Sequence, residues 1–345
     1  MMDLFTSHQL LLAVHEAGIR RDNFFKRVFF RERYTFTTKK VDLDMIPNRT
    51  KIAAYCSPMI GAVVDRQQGY SASSFLPAYV KSKHAVDPSM TVMRLPGESY
   101  AKPKSPSERQ NALVMQNLEQ EEDAISQREE LMCAEMVLTG KTIIDGPYVE
   151  EAFEIDAGRR PENNIVLSGA AKWDVADPDT YNPCADIDEW ASKADGLIDI
   201  IAMDKQAWAK INKFKKFNDK LETRRGSASH LETALKDLGS AVSIKGVLGD
   251  VVIVVIDEEF IDRKGKTQKI MPANTLVMGH TGARGACLYG SIQDLNAQQE
   301  GLDEAERYCR DWVEGNDPAV RYTKTESAPA MFLVDVNHFV VVKVA

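Results

Sequence analysis

The chain has few cysteines and no apolar run long enough to cross a membrane. Its five cysteines are an odd number without C-x-x-C spacing, which favours free thiols over a disulfide framework. The longest apolar runs, such as VVIVVI at 251–256, are far below membrane length. The run LLLAV at 10–14 lacks a preceding basic flank, so no signal peptide is expected. What remains is a globular composition, and 345 residues are enough for two subdomains.

The sequence also lacks the motifs of an ordinary enzyme. Its six histidines are scattered, and neither an H-E-x-x-H helix nor a G-x-S-x-G elbow occurs. TGKT at 139–142 and KGKT at 264–267 have the end of a phosphate-binding loop, but Glu135 and Phe260 stand where its first glycine is required. We therefore predict no catalytic residue, cofactor or metal. An α/β enzyme with a dispersed active site is the remaining catalytic alternative.

The chain has fewer basic than acidic residues, but basic residues are concentrated near its beginning. The net charge of −8 argues against a nucleic-acid-binding protein, although not against a shell that encloses nucleic acid without gripping it. Residues 24–36, FFKRVFFRERYTF, contain six aromatic and four basic residues. Aromatic residues and arginine are enriched at protein–protein contacts. This stretch therefore predicts an arm that reaches onto a neighbouring subunit.

The clearest secondary-structure signal is a long helix. Ser105, Pro106 and Glu108 form an N-terminal capping pattern, and no further proline or glycine occurs until Gly140. A helix over 106–139 is predicted, with Val114, Leu118, Ile125, Met132 and Met136 as its apolar stripe. Residues 107–139 contain eight acidic residues and only two arginines, which suggests either a solvated face or a charged subunit contact.

Shorter elements are predicted on both sides of this helix. Helices are expected at 6–17, 186–194, 205–223 and 229–238; extended or strand segments at 34–47, 196–203, 250–256, 275–278 and 286–292; a hairpin at 143–156; and two closing strands within 327–345. Residues 48–105 read as a long hairpin-like loop whose returning half is rich in proline. An arm, a long loop and a lengthwise acidic helix expose more surface than one monomer covers, which favours a self-assembling structural protein.

The order of these elements resembles that of tailed-bacteriophage major capsid proteins of the lambda type. The residues that carry the resemblance are FFRERYTFTT (29–38), FLPAYVKSKHAVDP (75–88), MQNLEQEEDAISQREE (115–130), ETRRGSASHLETALKDLGSAVSIKG (222–246), ARGACLYGSIQDLNAQQEG (283–301) and ESAPAMFLVD (326–335). They span nearly the whole chain. The resemblance implies an α+β protein with the capsid fold named for phage Hong Kong ninety-seven.

The resemblance also implies a division of the chain. It gives an N-terminal arm at 1–47, an extended β loop at 48–105, a peripheral domain at 106–184 with a spine helix at 106–139, an axial α/β-like domain at 185–305, and closing strands of the peripheral domain at 306–345. It implies a head protein that self-assembles into hexamers and pentamers of an icosahedral shell around double-stranded DNA. A nanocompartment or gene-transfer particle with the same fold is the alternative.

The partners implied are further copies of the chain, a scaffold, a portal and a decoration protein, with DNA as enclosed cargo and no membrane. The expected location is the virion, and the host cytoplasm during assembly. The expected assembly contacts are Phe24, Phe25, Arg27, Phe29, Phe30, Arg31, Arg33 and Tyr34 of the arm, Tyr79, Lys81 and Lys83 of the loop, Glu121, Glu122 and Glu129 of the long helix, and Arg224 and Arg225. In this interpretation the arm aromatics fill grooves on a neighbour, and the arm arginines pair with its acidic surface.

Overall fold

The protein is an α+β structure. The computed structural model describes residues 4–17, 23–45, 71–94, 96, 98–100, 103–146, 149, 152–222, 242–262, 264–315 and 319–345. The α-helices in these residues are α1 (Ser7–Ala17), α2 (Phe24–Phe29), α3 (Pro88–Val92), α4 (Pro106–Thr139), α5 (Pro183–Ala191), α6 (Lys205–Ile211), α7 (Lys215–Asn218) and α8 (Leu295–Glu300). Short 3₁₀ turns lie at Pro161–Asn163, Gly169–Ala171 and Val336–His338.

Eighteen strands lie in the described residues, several of them in succession without a helix between them. They are β1 (Glu32–Thr35), β2 (Val41–Met45), β3 (Ser71–Phe75), β4 (Val80–Val86), β5 (Lys141–Ile144), β6 (Phe153–Asp156), β7 (Asn164–Val166), β8 (Ile200–Asp204), β9 (Val242–Leu248), β10 (Val251–Ile256), β11 (Glu259–Ile261), β12 (Thr267–Lys269), β13 (Thr275–Gly279), β14 (Gly285–Tyr289), β15 (Tyr308–Glu314), β16 (Val320–Ser327), β17 (Pro329–Leu333) and β18 (Val340–Lys343). They form a six-stranded sheet β7-β18-β13-β8-β10-β9, two three-stranded sheets β1-β14-β17 and β15-β16-β4, and the pairs β2-β3, β5-β6 and β11-β12.

The long helix α4 begins and ends where the sequence predicts. The Ser105 hydroxyl accepts a hydrogen bond from the Glu108 backbone N–H at 3.3 Å, and the Glu108 carboxylate accepts one from the Ser105 N–H at 2.7 Å. At the other end Gly140 has φ +79°, a left-handed conformation that favours glycine. The 34 residues between them form a rod about 50 Å long.

One face of α4 is buried against both three-stranded sheets. The five stripe positions predicted from the sequence are all buried, and α4 packs on β4, β16 and β17 as well as on α1 and α2. Burial of the stripe is therefore confirmed. The helix acts as the common support for the arm, the loop strand β4 and the closing strands.

The six-stranded sheet is buried on both faces. Its central strands β8 and β10 pair in parallel, and their side chains alternate between two hydrophobic clusters. One cluster, shared with α2 and α4, contains Ile200, Ala202, Val254 and Ile256. The other, shared with α5, α6 and α7, contains Ile201, Met203, Ile253 and Val255. The sheet is therefore the middle layer of a three-layer core.

One predicted helix is interrupted in the structure. The helix predicted over 205–223 is wrong, because α6 ends at Ile211 and Phe214 is extended (φ −80°, ψ 121°) before α7 begins. Phe214 is buried against Tyr181, with ring centroids 5.3 Å apart, so tertiary packing breaks the helix although the apolar spacing fits one. The last strand, β18, pairs with β13 and β7 in the six-stranded sheet.

Strand β14 approaches the arm so closely that its first position requires glycine. A Cβ atom at Gly285 would lie 2.3 Å from the backbone carbonyl oxygen of Phe29. We expect Gly285→Ala to lower the free energy of unfolding by about 3 kcal/mol, since backbone must move to relieve the clash. Urea unfolding followed by tryptophan fluorescence checks this. Gly146→Ala is the control, because its added Cβ would lie 3.7 Å from the nearest atom, a Val149 methyl carbon, which is an ordinary contact. An equal loss of unfolding free energy in both variants would contradict the requirement for glycine at position 285.

Candidate assembly surfaces

The four arm phenylalanines lie inside the chain's own core. Phe24, Phe25, Phe29 and Phe30 are each 3% exposed or less, and the Phe29 and Phe339 rings meet edge to face at 5.0 Å. The expectation that they fill grooves on a neighbour is therefore wrong. The reason is the one-and-a-half-turn helix α2, which gathers positions 24, 25, 28 and 29 on one face and leaves the side chain of Arg27 exposed.

The cation Lys26 enters a buried ion network beneath α4. Its Nζ lies 2.5 Å from a Glu129 carboxylate oxygen, and Arg307 Nη1 donates to the other Glu129 oxygen at 2.7 Å. Arg307 Nε also donates to Glu122 at 2.9 Å. Burial alone would raise the pKa of Glu129, but Arg307 and Lys26 outweigh it and hold that pKa below its usual value. The network joins α2, α4 and the start of β15.

A second carboxylate of α4 caps the arm helix from a distance. Glu130 is fully buried, and its oxygens accept hydrogen bonds from the backbone N–H groups of Phe25 at 2.7 Å and Lys26 at 2.9 Å. These are orphan donors at the start of α2. Burial, together with the nearby Glu258 carboxylate, raises the pKa of Glu130 to about 8. Asn23, the residue before the helix, makes no side-chain cap. Glu130 therefore supplies the hydrogen-bond acceptors for the N-terminus of α2.

A third carboxylate of α4, Glu121, reaches the sheet β15-β16-β4. It is fully buried and accepts hydrogen bonds from the hydroxyls of Thr323 at 2.9 Å and Thr325 at 2.8 Å. Glu121 and Glu129 are thus internal ties, and Glu122 is half-buried on Arg307. The expectation that Glu121 and Glu129 present an acidic face to a neighbour is wrong, because charge counts along a helix do not tell which face each carboxylate occupies. Glu122, which is 27% exposed, stays a predicted contact.

Other arm residues do remain on the surface. The side chains of β1 are all exposed, and Arg33 and Tyr34 expose about half of their surface (53% and 49%). Arg27 and Arg31 are exposed as well. Within the described residues β1 pairs only with β14, so its other side is a sheet edge. An exposed edge strand with arginines is a surface that a second chain can pair with.

The loop strand β4 presents a second basic edge. Lys81 pairs with the buried Glu326 carboxylate at 3.2 Å, and the Lys83 ammonium lies 3.9 Å from the centroid of the Tyr322 ring. Both lysines stay about half exposed. The Tyr79 hydroxyl accepts a hydrogen bond from the Gln293 N–H at 3.0 Å, which fixes the start of the strand. The predicted contacts Arg224 and Arg225, and the predicted helix 229–238, lie outside the described residues.

The residues that organise these surfaces were mostly missed by the sequence reasoning. Lys26, Arg307, Glu130 and His84 all bind across elements far apart in sequence. The described cysteines 133, 184, 287 and 309 are free and buried. In the described part of the chain, no helix has the length and apolarity of a membrane span, and no cluster of three or more His, Cys, Asp or Glu could hold a metal ion.

Comparison with known proteins identifies the family. A family model described as phage major capsid protein E matches residues 7–344. The major capsid protein of Escherichia phage lambda is 46% identical over 347 residues, covering 100% of both chains, and that of Enterobacteria phage P21 is 42% identical over 343 residues, covering 99% of this chain and 100% of its own.

Solved structures agree with the family match. A prophage capsid protein from Escherichia coli CFT073 superposes with a TM-score of 0.82 at 32% identity, covering 99% of this chain and 100% of its own. A phage-related protein from Bordetella bronchiseptica shares the fold, with a TM-score of 0.55 at 11% identity over 96% of each chain. These matches confirm the lambda-type resemblance and the α+β capsid fold. The chain therefore belongs to the phage major capsid protein E family: it is a structural protein of the virion shell and not an enzyme.

Proposed function

We propose that copies of this chain assemble into hexamers and pentamers of an icosahedral shell that encloses double-stranded DNA. The observation that carries the proposal is the match of residues 7–344, nearly the whole chain, to the capsid family. Within such a shell we assign the arm to 1–47, the extended loop to 48–105, the peripheral domain to 106–184 with its closing strands in 306–345, and the axial domain to 185–305. The net charge of −8 supports enclosure of DNA without a tight grip on it.

The contacts between copies would use the basic edges that remain exposed. The exposed Arg33 and Tyr34 lie on β1 with Arg31 just before it, and Lys81 and Lys83 lie on β4. Opposite charge on a neighbouring copy would orient these edges and fix their register more than it would add affinity. The four buried phenylalanines are left out of this proposal, since they support the arm from inside.

Other partners belong to the proposal by similarity to the family. A scaffold, a portal and a decoration protein would act on the shell during its assembly and maturation, and the DNA would enter as cargo without sequence-specific recognition. A decoration protein would bind near the arm and the extended loop. Co-assembly of the chain with each candidate partner, followed by sedimentation, would test these assignments one at a time.

Electron microscopy of the assembled chain tests the proposal directly. We expect the chain, expressed with its scaffold, to give closed shells or curved sheets of six-fold rings that sediment rapidly. A species that stays small under all conditions would contradict the proposal while leaving the family membership intact.

The exposed arm arginines give a sharper test. We expect Arg31→Ala with Arg33→Ala to reduce shell yield about ten-fold, while unfolding of the chain in urea stays unchanged because both side chains are exposed. The control is Lys213→Ala with Lys264→Ala, which removes the same charge from exposed positions on other elements. Equal shell yields from both double variants would contradict the assignment of β1 as a subunit contact.

A further inference from the structure

The loop strand β4 is tied to the long helix through one histidine and one carboxylate. His84 Nδ1 lies 3.1 Å from an oxygen of Glu121, and the two residues belong to elements 37 positions apart. His84 pairs in register with Thr323 on β16, and Thr323 and Thr325 donate hydrogen bonds to the same carboxylate. The three donors converge on Glu121 from two neighbouring strands. Glu121 therefore holds the sheet β15-β16-β4 onto α4.

The negative charge of the Glu121 carboxylate has different partners from the charges of Glu122 and Glu129 on the same helix. Glu129 and Glu122 have arginine or lysine partners, but no lysine or arginine among the described residues pairs with Glu121. Glu121 is fully buried, whereas the His84 side chain is 37% exposed and can exchange protons with solvent. A buried carboxylate whose ionisable partner is an imidazole depends on a proton for charge compensation.

The other groups around the pair do not supply that proton. Cys309, facing Glu121 from β15, has a pKa raised to about 12 by burial and stays neutral. Arg307, at the start of β15, is engaged by Glu122 and Glu129. Lys83, next to His84 on β4, lies on the outer face over Tyr322. The charge state of the site is therefore set between His84 and Glu121.

We propose that the His84–Glu121 pair is a pH-sensitive latch that holds the loop strand β4 on the long helix. With a proton on Glu121, the buried carboxyl is neutral. Loss of that proton leaves a buried negative charge that no lysine or arginine among the described residues pairs with, and β4 is held less tightly. Because β4 is the strand that returns from the extended loop, pH then controls how firmly the loop is attached to the helix.

The sign of the effect follows from the direction of the shift at the carboxylate. Burial raises the pKa of Glu121, and the hydrogen bonds from Thr325, Thr323 and His84 only partly oppose it. The folded chain therefore holds this proton at a pH where the unfolded chain has lost it, so the contribution to stability falls as pH rises above the usual glutamate range.

Hydrogen exchange on the unassembled full chain tests the latch without requiring a shell. After correction for the intrinsic rate, we expect protection of the amides of β4 to fall about ten-fold between pH 5.5 and pH 8. Glu121→Gln is expected to abolish this pH dependence because it removes the buried carboxyl, whereas His84→Gln is expected to move it to higher pH because it removes a hydrogen bond that lowers the pKa of Glu121. The histidine is half-exposed, so His84→Gln keeps the test decisive even if the buried glutamate variant does not fold.

A second histidine–carboxylate pair provides the matched control. His280 Nδ1 lies 3.1 Å from Asp199 in the six-stranded region, with both side chains about one third exposed. His280→Gln is expected to leave the pH dependence of β4 as it is in the wild-type chain. Equal protection of β4 at both pH values in the wild type, or an unchanged pH dependence in His84→Gln, would overturn the proposal. Either result would leave the proposed shell function untouched, because no assembly is measured.

Discussion

Replacing Glu129 by glutamine is expected to lower the free energy of unfolding by about 3–5 kcal/mol. The substitution keeps the shape of the side chain and removes its charge. Lys26 and Arg307 would then be left largely buried, at 13% and 11% exposure, without the carboxylate that both contact. The cost arises mainly from Lys26, which keeps no carboxylate partner among the described residues, whereas Arg307 stays paired with Glu122. Urea unfolding of the full chain at pH 7 measures it.

The network also predicts that the difference in unfolding free energy between the wild type and Glu129→Gln depends on pH. The cations hold the pKa of Glu129 below its usual value, so its contribution is present above the usual glutamate range and is lost as the pH falls through the lowered folded pKa. The gap between wild type and Glu129→Gln should therefore narrow in acid. Glu122→Gln is the matched control. It leaves Arg307 paired with Glu129, so a loss of only about 1–2 kcal/mol is expected. A loss for Glu129→Gln no larger than this would contradict the network's role.

The long helix was predictable because its signals are local. The capping residues lie within three positions of each other, and the glycine that ends the helix follows directly. A local pattern would also have indicated which carboxylates are buried, although these residues were predicted to contact a neighbour. Glu121 and Glu129 each lie four residues from Ile125, so they share the face of the apolar stripe. What the sequence did not reveal was their partners, because Lys26 and Arg307 lie 103 and 178 positions away from Glu129.

The parts of the fold that escaped prediction depend on distant pairing. β1 forms a parallel pair with β14, so that Glu32 lies opposite Ala286, and β18 inserts between β7 and β13. Neither pairing can be predicted from the composition of the strands or from the spacing of their residues. The proposed assembly surfaces have the same limitation. Arg31 and Arg33 were predicted as contacts together with the buried phenylalanines because composition alone does not separate a strand edge from a core helix.

Replacing Phe29 by alanine is expected to destabilise the single chain by about 3–5 kcal/mol. Phe29 lies at the centre of the arm's aromatic cluster, touching Phe24, Phe25 and Phe339 with ring centroids 5.0–6.4 Å apart. Removal of the ring leaves a cavity between α2 and the closing strands. The backbone around it cannot collapse easily, because the Phe29 carbonyl is already packed against Gly285. Urea unfolding of the unassembled chain measures the loss.

This expectation separates a core residue from a contact residue. If the phenylalanines served only a neighbouring subunit, Phe29→Ala would unfold like the wild type and fail only in shell formation. The structure implies instead that Phe29→Ala loses stability already in the single chain, since Phe29 is 1% exposed there. The matched comparison is Arg31→Ala with Arg33→Ala, two exposed positions of the same arm, for which stability should be kept and shell yield lost. Wild-type stability of Phe29→Ala would show that the arm docks on another copy and would return the aromatics to the assembly interface.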